Sequence, residues 1–191
     1  PPPPPVSSFE EAAPEADAPP AMDRDTFIDT YGSGAGGAGG GSKPAPCRSD
    51  ETGCVETRRV EGSEPLVPWA FPGSSSSAAA ALKATLSAGG ATTVSSSAAG
   101  AGATRVTASF SAGPLGLISD DLEFVLSDAT HTTEYRASAS AKNLVFGDGA
   151  GRNKGRLSGV RKKLFEEQGW SCACPSDVGF VEGLKCSLFC G

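Results

Sequence analysis

Three runs of alternating apolar residues, two segments of helical period and six cysteines predict an α+β fold. The expected body is an antiparallel β-sheet of about four strands packed against two helices and stapled by disulfides. Residues 1–46 read as an extended, acidic Pro/Gly-rich tail and linker, residues 47–170 as the α+β domain, and residues 171–191 as a Cys-rich C-terminal extension. Only 38% of the 191 residues are hydrophobic, with 25 Gly and 15 Pro, so the core is smaller than the chain length suggests.

The tail opens on "PPPPP" and runs through "APEADAPP", an extended polyproline-like composition. Such a segment cannot bury enough apolar surface to offset the cost of ordering it. Within it, "AMDRDTFIDTYG" sets Met22, Phe27, Ile28 and Tyr31 among acids and reads as a short linear anchor for a partner. The Gly-rich run 32–41 is a flexible spacer. Residues 1–64 carry 12 acidic and 5 basic side chains, and the remainder 10 and 11. The net charge of −6 therefore belongs to the tail and its junction, and it argues against a nucleic-acid partner.

The domain's first helix is "SSSSAAAALKATLSAGG", with serine caps, Leu82 and Leu86 four apart on one face, and Gly89 at its end. Three strands follow. "RVTASF" places Val106, Ala108 and Phe110 on one face, and "DLEFVL" does the same for Leu122, Phe124 and Leu126. "TTEYRASA" aligns Thr133, Tyr135, Ala137 and Ala139. The short connection "SDATH" predicts a hairpin. Pairing Asp128 with His131 sets Phe124 opposite Tyr135 on the core face and Glu123 opposite Arg136 on the other.

The stretch "VFGDGAGRNKGRLSGVRKKL" tests a phosphate-loop reading. Gly147, Gly149 and Gly151 give G-x-G-x-G with Arg152 where a dinucleotide loop needs its third Gly, and Lys154 precedes Gly155 rather than Ser or Thr. Neither template fits. Asn153 is expected as a helix N-cap, with Leu157, Val160 and Leu164 facing the core and Gly169 at the C-terminal end, where Trp170 folds back. Arg156, Arg161, Lys162 and Lys163 are then expected on the flanks and solvated outer face.

Five short motifs occur in order: "CRSDETGCVET", "PWAFPG", "DDLEF", "YRASAS" and G-x-N-x-x-R-x-x-x-x-R, the last formed by Gly151, Asn153, Arg156 and Arg161. Together they resemble the domain of unknown function 1499 family across about residues 47–170. Gly53 stands where that family shows Asn, and Ala141 where it shows Arg. The resemblance implies no established catalytic activity and an occurrence in bacteria and in plastids. With paired cysteines and a leader removed ahead of Pro1, it implies a plastid protein of the thylakoid lumen.

Six cysteines without a histidine cluster point to an oxidising compartment, and no apolar run is long enough to span a bilayer. Cys47 and Cys54 are close enough for a small disulfide loop. Cys172, Cys174, Cys186 and Cys190 are expected to form two bonds within the C-terminal extension, although six cysteines allow 15 connectivities. A four-thiolate metal site is disfavoured because its first pair is C-x-C, so no metal and no cofactor are expected. His131 sits alone in a turn and no G-x-S-x-G elbow occurs; Asp120, Asp121 and Glu123 offer a carboxylate cluster, but alternation puts Asp121 and Glu123 on the face opposite Leu122, where a solvated or salt-bridged fate is expected. Taken with the plastid setting that the resemblance implies, these features suggest a non-catalytic lumenal accessory subunit that stabilises or helps assemble a large photosynthetic membrane complex, a photosystem with its antenna. A lipid- or pigment-binding module and a thiol-redox enzyme using Cys172 and Cys174 are the alternatives.

Overall fold

The computed structural model describes residues 43–47, 53–57, 66–100, 102–112, 118–139, 149–174 and 186. Three long strands form the body of the sheet: β4 (Ala103–Ala112), β5 (Ile118–Ser127) and β6 (Thr132–Ala139). β3 (Thr93–Ala98) flanks them at one edge, and the two-residue strands β2 (Trp69–Ala70) and β7 (Ser171–Cys172) extend the other. The spatial order is β3-β4-β5-β6-β2-β7, and every pair is antiparallel. β1 (Val55–Glu56) joins β6 on the same edge as β2, opposite Ala137 and Arg136, while β2 lies opposite Thr133 and Thr132. Two helices, α1 (Ser75–Ala88) and α2 (Gly149–Gln168), touch each other and pack on one face of this sheet.

The α+β class and the antiparallel sheet hold, but the sheet has seven strands rather than about four. The extra strands have a physical reason to escape a reading of alternation. β1, β2 and β7 are two residues each, shorter than any periodic signal, and β3 is the Ser-rich "TVSSSA", exposed along nearly its whole length. Pairing, rather than an apolar face of their own, makes them strands.

The hairpin register agrees with its derivation from the sequence. Ser127 lies opposite Thr132, Phe124 opposite Tyr135 and Glu123 opposite Arg136. His131 takes a positive φ of 49° in the turn, a region where His is tolerated, and its carbonyl accepts from the Phe71 N–H at 3.0 Å. The inner face then carries Val106, Ala108, Phe110, Leu122, Phe124, Leu126, Tyr135 and Ala137, all buried. Leu82 and Leu86 of α1 and Leu157, Val160 and Leu164 of α2 close over them.

At the centre stands Trp69, held by pairing to β6. Its ring lies 4.5 Å from Tyr135, 5.9 Å from Phe124 and 6.4 Å from Trp170, centroid to centroid. Such contacts contribute about 0.5–1.5 kcal/mol each beyond area burial. Trp170 arrives there because Gly169 adopts φ 68° after α2, and the Trp170 N–H turns back to the Leu164 carbonyl. The Tyr135 hydroxyl donates to the Val67 carbonyl at 2.9 Å; burial pushes this phenol well up, which Arg161 and Trp69 only partly offset.

α1 starts at Ser74, whose side chain accepts from the Ser77 N–H, and ends at Gly89, with Gly90 in the left-handed region at φ 88°. A second anchor comes from the hairpin. The Asp128 carboxylate accepts from the Ser75 backbone N–H and, at 2.8 Å, from the Ser75 hydroxyl. An anion at a helix N-terminus is stabilised by the unpaired N–H groups and the helix dipole. These two Ser75 bonds, the backbone one foremost, hold the Asp128 carboxyl below its usual value, helped by His131 and opposed by slight desolvation.

This sets a pH dependence. A depressed folded pKa adds stability fully above the unfolded value near 3.8, lost as pH falls through the lower folded value. Asp128→Ala is expected to cost about 1 kcal/mol at neutral pH, roughly 4 °C in Tm. Thermal melts of variant and wild type should converge as the pH drops below that range.

Candidate functional site

Strand alternation decides which acids of β5 are buried. Asp121 and Glu123 alternate onto the outer face, while Asp120 shares the inner face with Leu122 and Phe124 and is 0% exposed. A carboxylate in that position requires a counter-charge and hydrogen bonds. α2 supplies both, since residues four apart lie on one helix face. Arg152 grips the carboxylate with two bonds, Nε to Oδ2 at 3.2 Å and Nη2 to Oδ1 at 3.0 Å. Arg156 adds Nε and Nη2 donations to Oδ2 at 3.2 and 3.1 Å. One acid thus sits between two guanidiniums.

Arg156 is fixed from a second side. Its guanidinium carbon lies 4.5 Å from the centroid of the Phe110 ring, in cation–π range. Between the two arginines in sequence, Asn153 is fully buried and donates from Nδ2 to the Gly53 carbonyl at 3.0 Å. Gly53 has φ 70° and immediately precedes Cys54, which is bonded to Cys47. The amide therefore ties α2 to the disulfide loop; its Oδ1 is buried with no partner among the described residues. Asn153 is not the helix cap that its residue type suggested: α2 begins four residues earlier, at Gly149. The glycines that precede it carry the helix start, and the amide serves tertiary rather than local bonding.

Arg156 likewise departs from the expected solvated face, and Arg161 is half-buried near Tyr135; Lys162 and Lys163 are exposed as expected. Beside Arg156 a cavity of about 150 Å³ opens between α1, α2 and β4. Phe110 and Val160 give it apolar walls, Thr85 faces it from α1, and Arg156 and Lys163 line it with positive charge.

The outer face of the sheet carries a ladder of alternating charge. Glu56, Arg136 and Glu123 follow one another across β1, β6 and β5. Glu123 stands opposite Arg136 in the register, yet its closest ion pair is diagonal, with Arg105 Nε 3.1 Å from its Oε1. Residues 43–47 lie across this face. The Lys43 carbonyl accepts from Arg105 Nη2 at 3.4 Å, Lys43 Nζ is 3.6 Å from Glu134, and the Cys47 N–H donates to Glu56 at 3.0 Å. Pro44 is buried beneath. Asp121 is occupied on the same face by the hydroxyls of Ser109 and Ser119 at 2.6 and 2.8 Å.

Among the cysteines, Cys47 is bonded to Cys54 and Cys174 to Cys186, and Cys172 is also disulfide-bonded. Cys172 and Cys174 are not joined to each other, so the C-x-C pair required by a thiol-redox centre is not formed. Cys190 and the anchor residues Met22, Phe27, Ile28 and Tyr31 lie outside the described residues. Among the described residues no cluster of three metal-ligating side chains occurs.

No family model matches the chain, and no curated protein or solved structure matches it significantly. The five motifs nevertheless converge in space. "DDLEF" supplies Asp120, the G-x-N-x-x-R run supplies Asn153 and Arg156, and the first cysteine motif supplies Gly53, all at one junction. "PWAFPG" and "YRASAS" supply Trp69 and Tyr135 of the aromatic centre. The Arg–Asp junction escaped the sequence reading, though a signal was present. Asp120 shares the parity of Leu122 and Phe124, and an acid on an apolar strand face calls for a cation such as an i, i+4 arginine pair.

Asp120→Ala leaves two half-buried guanidiniums facing each other without their carboxylate, and is expected to cost about 3 kcal/mol or more in urea unfolding. Glu123→Ala, on the more exposed ladder, is expected to cost about 1 kcal/mol or less. Peptide mapping without reduction is expected to recover Cys47 linked to Cys54 and Cys174 linked to Cys186, whereas free thiols at these positions would contradict the fold. Reduction should lower stability by about 2–3 kcal/mol for each loop released.

Proposed function

We propose that the chain is a non-catalytic accessory subunit, bound from the lumenal side to a large photosynthetic membrane complex, a photosystem with its antenna, which it stabilises or helps assemble. The observation that carries this reading is how the body's polar chemistry is used. Asp120, Arg152, Arg156 and Asn153 join the helix layer to the sheet, and Glu56, Glu134, Arg105 and Lys43 fasten the segment at residues 43–47. Among the described motif residues, Gly53, Trp69, Asp120, Tyr135, Asn153 and Arg156 each have a place in holding the fold.

Three further features support it. Disulfides are compatible with an oxidising lumenal or extracellular location. Among the described residues no helix is long and apolar enough to cross a membrane, consistent with a peripheral attachment. Residues 43–47 are fastened to the outer face of the sheet, and the acidic Pro- and Gly-rich sequence preceding them contains the anchor candidates Met22, Phe27, Ile28 and Tyr31. The lipid- or pigment-binding alternative called for a large dry cavity lined by Phe110, Phe124 and Tyr135. Phe124 and Tyr135 instead pack against Trp69 in the core, and Phe110 borders a cavity of about 150 Å³ without them.

Affinity purification of the tagged chain in mild detergent is expected to recover photosystem and antenna subunits. Deleting residues 1–42, or the double substitution Phe27→Ala with Tyr31→Ala, should weaken that association at least tenfold while leaving the circular dichroism spectrum of the body intact. A monomer absent from purified photosystem particles would overturn the proposal.

A further inference from the structure

The cavity between α1, α2 and β4 has the composition of a binding site for an anion with an apolar body. Its volume, about 150 Å³, is the size of a cavity that holds one benzene ring. The walls divide by chemistry. Phe110 and Val160 are buried side chains that present apolar surface, while Arg156 and Lys163 bring two cations to the same space; among the described residues no acidic side chain lines it. Arg156 is already oriented, its Nε and Nη2 bonded to Asp120 and its plane held against Phe110. A preorganised guanidinium loses little freedom on meeting an anion, and it is weakly hydrated, so it suits a carboxylate.

The backbone adds a second feature. Gly159 lies within α2 on the cavity's lining, and a Cβ built there meets no atom within 4 Å. Gly159 is exposed at the rim of the cavity, with room for a side chain there. A larger residue at this position would fill the cavity without disturbing the fold, which makes it a clean probe of occupancy.

We propose that this cavity binds a small monoanionic carboxylate carried on a ring-sized apolar body, the ring against Phe110 and Val160 and the carboxylate between Arg156 and Lys163. This site is independent of the membrane-complex reading, since it lies on the helix side of the sheet and the segment at residues 43–47 lies on the opposite face.

Benzoate is the probe, followed by amide chemical shifts of the full-length chain, with benzylamine as the cation of the same shape. Saturable shifts at Gly159, Val160 and Lys163 are expected with benzoate and not with benzylamine. Lys163→Glu should weaken benzoate at least tenfold, and Gly159→Leu should abolish its binding while the folded spectrum is kept. Gly155→Ala, at a helix position equally open but off the cavity, should bind as wild type does. Absence of saturation, equal binding of the amine, or unchanged binding by Gly159→Leu would each overturn the assignment.

Discussion

The bidentate contact of Arg152 with Asp120, reinforced by Arg156, is the interaction on which the rest of this structure depends. Packing alone brings α2 to the sheet through Leu157, Val160 and Leu164, but apolar contact is non-directional. The carboxylate sets where along β5 the helix sits. From that position the helix presents Asn153 to Gly53 and so reaches the Cys47–Cys54 loop. The same placement turns Arg156 over Phe110 and opens the cavity between the two helices. A buried ion pair of this kind contributes less to net stability than an apolar replacement of the same shape often does; what it adds here is geometry.

The two faces of the sheet solve different problems. The inner face is filled by aromatic rings around Trp69, which reach it because two-residue strands pair with β6 and β2. The outer face has no helix layer. Among the described residues it is covered by residues 43–47 and by charges that alternate in sign across the strands, so that Glu56 and Glu134 can be almost wholly buried there. The described polar groups named above therefore do structural work on both faces.

Legibility from the sequence tracked how local each determinant is. The Leu82/Leu86 face of α1, the Val106/Ala108/Phe110 face of β4 and the hairpin register at Phe124 and Tyr135 depend on neighbours within a few residues, and they were readable. The Gly169–Trp170 turn was readable for the same reason. β1, β2 and β7 were not, because a two-residue strand is specified by its partner rather than by its own pattern. Asn153 misled for a related reason: its residue type favours a cap, but burial against Gly53, a hundred residues away, gave the amide a different partner. The Arg–Asp junction spans more than thirty residues, and only the parity of Asp120 on its strand hinted at it. The ion pair of Glu123 shows the limit of register itself, which fixes Cα partners while long side chains choose a diagonal neighbour.

Native-state hydrogen exchange on Asp120→Asn tests the central claim most directly, because the substitution removes the charge and keeps the shape. If the carboxylate positions the helix, the amides of α2 around Leu157 and Val160 lose protection selectively, while those of β4 and β5 continue to exchange only by global unfolding. Protection of α2 that stays in step with the sheet would show that apolar packing alone sets the helix in place, and would contradict the account.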